Sequence, residues 1–128
     1  MDSVIARAID FMRDNLRQRV SVGRLSQTSS LSRSRFSHLF KDQTGLPPAQ
    51  YLKQLRIQRA RELLETTSHS IKVICALIGI KDESHFVRDF GKLYGLSPSK
   101  YRAYYLSSLA SRNPPKKITK PNRKSADK

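Results

Sequence analysis

The chain has 128 residues, 38% of them hydrophobic, and carries 25 Lys and Arg against 10 Asp and Glu, a formal charge of +15. That length holds one ordinary domain or two very small ones, and a charge so far from zero points to a polyanionic partner, nucleic acid first. One cysteine, Cys75, rules out an intramolecular disulfide, and no run approaches the ~20 apolar residues of a membrane span.

A first helix is predicted from about Ser3 to Arg17, where Val4, Ile5, Ala8, Ile9, Met12 and Leu16 recur at three- and four-residue steps. Its opening stretch carries Asp2, Arg7, Asp10, Arg13 and Asp14, unlike a secretory signal. Ser21 can cap a second, short helix through Val22 and Leu25, although Gly23 there costs up to about 1 kcal/mol of helix propensity. Ser32 can cap a third helix from Arg33 to about Thr44, stopped by Gly45. Pro47 and Pro48 fit only the first turn of a long fourth helix, which reaches about Glu65 with Leu52, Leu55, Ile57, Ala60, Leu63 and Leu64 as its apolar arc. Ser70 can cap a fifth helix holding Ile71, Ile74, Cys75 and Ile78, with Gly79 turning the chain. Cys75 among these apolar neighbours reads as a small buried residue. Asp82 can cap a sixth helix ending near Tyr94 before Gly95. Ser97 and Pro98 start a seventh, through Tyr101 to about Leu106. From Ser111 onward seven Lys or Arg face one Asp, with three prolines and a single large aliphatic residue, Ile118. Such a segment cannot pack a core and is expected to be disordered. It holds +6 of the charge, so the remainder of the chain keeps about +9.

The chain repeats itself. "FKDQTGLPPAQYL" begins at Phe40 and "FGKLYGLSPSKYR" at Phe90. An offset of 50 aligns Phe36 with Phe86, Phe40 with Phe90, Gly45 with Gly95, Leu46 with Leu96, Pro48 with Pro98, Tyr51 with Tyr101 and Ser32 with Asp82. Upstream the offset becomes 49, pairing Leu31 with Ile80, Ser30 with Gly79 and Ser26 with Cys75, so the second turn holds one extra residue. Each copy reads short helix, tight turn, longer helix, glycine stop and proline-led helix, which is a helix-turn-helix. The repeated words are expected to be scaffold, with Tyr51 and Tyr101 packing back on Phe40 and Phe90.

Readout must lie where the copies differ. At 100° per residue, Leu39, Phe40 and Gln43 share the packed side of the third helix with Phe36, while Ser34, Ser37, His38, Lys41 and Asp42 face away, with Arg35 at the edge. In the sixth helix Phe86, Phe90, Leu93 and Tyr94 pack, while Ser84, His85, Val87, Arg88, Gly91 and Lys92 face out. A protein-docking groove would want an apolar anchor. Small polar residues with long or aromatic donors suit base edges in the major groove. The base-reading set is therefore Ser34, Arg35, Ser37, His38, Ser84, His85, Val87 and Arg88. Val87 suits a thymine methyl and Arg88 a guanine. Arg33, Lys41, Lys81, Lys92, Lys100 and Arg102 are assigned to phosphates, with a solvated basic surface as the alternative for each. His38 and His85 are read as base or phosphate contacts or as ordinary surface histidines, and His69 as solvated.

The stretches "SRFSHLFKDQTGLPPAQYL", "LRIQRARELLETT" and "SIKVICALIGIKDESHFVRDFGKLYGLSPSKYR" resemble the DNA-binding domain of AraC/XylS-type bacterial transcription regulators, over about Asp2 to Tyr105. The resemblance implies an all-α fold of about seven helices, two homeodomain-like helix-turn-helix subdomains joined by a linker helix. The expected boundaries are 1–53, 48–66 and 67–110, with a basic tail over 111–128. It also implies recognition helices in successive major grooves of double-stranded promoter or operator DNA, contact with RNA polymerase, and a cytoplasmic, nucleoid-associated protein. Because the two faces differ, this chain is expected to bind as a monomer; the family's dimerising domain is absent from it, which fits either a short stand-alone member or the C-terminal piece of a larger regulator. It departs from the family pattern at Gly23, Leu31, Cys75 and Ile80, none of them on the reading faces.

Enzyme chemistry is not expected. His38, His69 and His85 lack metal-ligand spacing, and neither a carboxylate pair nor a phosphate-cradling glycine loop accompanies them. No metal or cofactor is called for. The alternative is a sequence-indifferent nucleic-acid protein, architectural or RNA-associated. It would need no pair of differently decorated helices, and single-strand binding would want exposed aromatics.

Overall fold

The computed structural model describes residues 3–110. The basic segment 111–128, expected to be disordered, lies outside the described residues. All regular structure among the described residues is helical: α1 (Ser3–Asp14), α2 (Val22–Ser29), α3 (Arg33–Thr44), α4 (Pro48–Thr66), α5 (Ile71–Ile78), α6 (Glu83–Tyr94) and α7 (Pro98–Ala110). The chain divides into two compact units within α4, one ending at Arg56 and the other beginning at Ile57.

The first unit closes around Ile5, Ile9 and Met12 of α1, Leu25 of α2, Phe36 and Phe40 of α3, and Leu52 and Leu55 of α4. The second closes around Ile57, Ala60, Leu63 and Leu64 of α4, Ile74, Cys75 and Ile78 of α5, Phe86, Phe90 and Tyr94 of α6, and Tyr101 of α7. The apolar positions of α4, read from sequence as one arc, are thus divided between two cores. Ile57 lies roughly 140–160° around the helix from Leu52 and Leu55, which is why one stripe does not describe them.

Local chemistry fixes the helix starts. Ser21 Oγ accepts from Arg24 N, Ser32 Oγ from Arg35 N and Ser70 Oγ from Val73 N, each at 3.1 Å. Each bond satisfies a first-turn donor that the helix itself leaves unpaired. Gly45 and Gly95 end α3 and α6 at φ 85° and 83°, their N–H groups donating to Lys41 O and Gly91 O at 2.8 Å. Only a residue without Cβ takes that left-handed geometry freely. The proline-led helices then bring Tyr51 edge-on to Phe40 at 5.3 Å and Tyr101 edge-on to Phe90 at 5.7 Å. Leu96 packs on the second core, and Leu46 is half-buried.

Two ends differ from the sequence expectation. α1 stops at Asp14, short of Arg17. Asn15 Nδ2 donates to Phe11 O at 2.8 Å, and Arg56 donates to Leu16 O at 3.0 Å and Gln18 O at 3.1 Å. These side chains take carbonyls that a further helical turn would have used. α7 runs on to Ala110, past Leu106, since neither glycine nor proline interrupts the sequence before Pro114.

Candidate nucleic-acid interface

α3 and α6 occupy the same position in their units, each held by two buried phenylalanines one turn apart. Phe36 and Phe40 stand 5.8 Å apart, as do Phe86 and Phe90. With those rings inward, the opposite side of each helix is left to solvent. On α3 the exposed residues include Arg33, Ser34, Arg35, His38 and Lys41, with Ser37 half-buried. On α6 they include Ser84, His85, Arg88 and Lys92. Val87 is half-buried and packs on the second core, so only part of it is left to meet a base.

Turn chemistry positions the first residues of α6. Asp82 Oδ1 accepts from His85 N at 3.0 Å, and that bond is the chief reason its carboxyl is held below the usual range. Its other oxygen lies 3.4 Å from His85 Nδ1, tying the ring to the start of the helix. Arg88 approaches Asp89 only at 3.8 Å and is 57% exposed, too long for a hydrogen bond. Lys81, the additional residue of the second turn, is exposed immediately before the Asp82 cap. Lys100 is exposed on the first turn of α7, its N–H donating to Ser97 Oγ at 3.3 Å.

Arg102 has another task. Its guanidinium donates to Leu64 O at 3.1 Å, Thr67 O at 3.1 Å and His69 O at 2.7 Å. These are carbonyls at and beyond the end of α4, the groups a helix C-terminus leaves unpaired. Arg102 therefore has a capping role that leaves only part of its guanidinium to meet a phosphate.

Sequence reading missed a feature of the first unit. The Arg33 guanidinium lies against α2 at Gly23: a Cβ there would meet Nη2 at 2.5 Å and Nε at 2.9 Å. Ser21, Gly23, Arg24, Gln27, Thr28 and Arg33 line one open recess. Read alone, Gly23 was only a weak helix former, and no local signal links it to a residue ten positions on. Among the described residues no group of His, Cys, Asp and Glu could hold a metal ion, and no helix is long and apolar enough to cross a membrane.

A family profile described as "Helix-turn-helix domain" matches residues 25–104. The crystal structure of an AraC-type DNA-binding-domain regulator from Chromobacterium violaceum superposes with a TM-score of 0.74 at 30% identity, over 78% of this chain and 89% of that one. The chain belongs to the AraC family. The DNA-binding domain of AdpA, a global transcriptional factor, solved in complex with a target DNA, matches with a TM-score of 0.79 at 27% identity, over 85% of this chain and 98% of that chain. The arabinose operon regulatory protein of Escherichia coli K12 is 35% identical over 104 residues, covering 80% of this chain and 36% of that protein. The chain spans about a third of the length of the curated relatives it matches. Family and fold are those of transcription-regulator DNA-binding domains.

Proposed function

We propose that this AraC-family chain binds double-stranded promoter or operator DNA as a monomer, with α3 and α6 reading successive major grooves. Ser34, Arg35, Ser37 and His38 read one half-site. Ser84, His85, Arg88 and the uncovered part of Val87 read the other. Arg33, Lys41, Lys81, Lys92 and Lys100 supply phosphate contacts. The carrying observation is one scaffold built twice with two unlike polar faces on it. Equal faces would call for a repeated half-site, and unlike faces call for a direct, non-palindromic one with centres about 10 base pairs apart. Such a protein works in the bacterial cytoplasm at the nucleoid, and its regulatory partner is RNA polymerase. The boundaries 1–53, 48–66 and 67–110 are its functional modules, and no catalytic step is assigned to it.

A competition shift assay tests the reading, with genomic promoter fragments set against bulk nonspecific DNA. A subset of fragments should survive competition and share a non-palindromic site. Arg88→Ala should then cost about 1–3 kcal/mol and relax one position of that site. Equal loss of all fragments to bulk DNA would favour a sequence-indifferent protein. A symmetric site filled only by two chains would overturn the monomeric reading.

A further inference from the structure

The recess between α2 and the start of α3 has a chemistry that the second unit does not share. Arg24 and Arg33 both line it, with Gln27, Thr28 and Ser21 around them. Among the described residues neither arginine has a carboxylate partner. Arg24 rests near the Phe11 ring at 5.7 Å from its centroid, and Arg33 lies over Gly23. Two cations sharing a polar recess without an acid repel one another, and an anion between them relieves that repulsion. At the corresponding positions of the second unit stand Lys72 for Gly23, Val73 for Arg24, Ala76 for Gln27, Leu77 for Thr28 and Glu83 for Arg33. There Arg24, Gln27 and Thr28 give way to apolar residues, a lysine fills the place of the glycine, and the second arginine has become an acid.

We infer that Gly23 is a positioning residue: by leaving room for the Arg33 guanidinium beside Arg24, it builds a two-arginine clamp for a single DNA phosphate, present in the first unit and absent from the second. The inference rests on the DNA-binding reading above. Its logic is steric. Any side chain at residue 23 pushes the guanidinium off α2, and because the guanidinium is the far end of a flexible side chain, that displacement leaves the fold intact. Alanine is also the better helix former. Stability and DNA affinity should therefore move in opposite directions at one position.

The test uses the full chain and a nonspecific duplex of about 30 base pairs, since phosphate contacts carry no sequence information. Wild type, Gly23→Ala, Arg33→Ala and the double variant are titrated across a salt series, and each is melted without DNA. Gly23→Ala should raise Tm by a few degrees while weakening DNA binding about three- to tenfold and flattening the salt slope by roughly 0.9, one phosphate contact. The double variant should bind no worse than Arg33→Ala, because both changes remove the same contact. Gly23→Ala with wild-type affinity and slope, or losses that add in the double variant, would overturn the inference. A wild-type chain that binds no duplex at all would overturn the DNA reading itself, and the clamp with it.

Discussion

Ser30 and Gly79 hold the same station in the two units. Each follows the short helix of its turn and each is left-handed, at φ 63° and φ 81°. The turn geometry is therefore the same demand met twice, once by the residue that suits it and once by one that strains to. Four residues earlier, the pattern repeats with Ser26 and Cys75, buried to 3% and 4% exposure. Ser26 satisfies its hydroxyl by donating to Gly23 O at 2.9 Å, whereas Cys75 needs no partner. Farther out the correspondence ends: Arg24 faces Val73 across the repeat, Thr28 faces Leu77, and Arg33 faces Glu83. Backbone conformation and core volume tolerate little variation, so the copies stay alike there. The outer faces carry no such constraint, and there the two units have become different.

The strongest way to break this equivalence is to remove the paired aromatic anchors. Phe40 and Phe90 are both fully buried, and Phe40→Ala and Phe90→Ala should each cost about 3–5 kcal/mol in urea denaturation. Losses differing by more than about 2 kcal/mol would show that the cores are not equivalent.

A milder test addresses the repeated glycine stops. Nothing lies within 4 Å of a Cβ built at Gly45 or Gly95, so Gly45→Val and Gly95→Val meet only the backbone cost of positive φ, about 1–2 kcal/mol. Both variants should keep the base preferences of the wild type in a selection from random duplexes. If Gly95→Val kept its stability and changed the preferred sequence, the repeated words would belong to the reading surface.

Exchanging the turn residues sharpens the comparison further. Gly79→Ser should lose about 1 kcal/mol. Ser30→Gly should be neutral to slightly stabilising, because relief of strain is offset by the greater freedom of glycine in the unfolded chain. Thermal melts of the two variants check this, and equal losses in both would mean that Ser30 is held by contacts outweighing its strain.

The smallest effect concerns the buried pair. Cys75→Ser should cost under about 1 kcal/mol near neutral pH if the hydroxyl bonds back along its own helix as Ser26 does. At alkaline pH the variant should gain relative to wild type. Burial, with help from the Glu83 carboxylate, pushes the Cys75 thiol from 9.0 up to about 11. Between those values the unfolded chain releases a proton that the folded chain retains, so wild-type stability falls as pH rises through the window. Tyr101, raised chiefly by burial and then by its bond to Glu65, adds the same sign in both proteins and cancels in the comparison. Urea midpoints below and above the window should converge for Cys75→Ser, and parallel alkaline losses in both would remove Cys75 from the account.

The sequence by itself determined the helices, because their signals are local. A hydroxyl or carboxylate one residue before a helix, a glycine after it, and apolar residues at helical spacing all act within a turn or two of where they stand. The repeat at offsets of 50 and 49 also located the additional turn residue, Lys81, and separated the packed sides of α3 and α6 from their outer sides. Tertiary structure alone decided what long side chains do. Arg102 reaches 38 residues back to Leu64, and Arg56 reaches 40 back to Leu16. Arg33 settles on a glycine in another helix, and Val87 turns partly into the core. An arginine's charge is legible in sequence, but its six-atom reach lets it choose among every carbonyl, ring or gap that folding brings near. That choice is made by packing between elements, which no local pattern encodes.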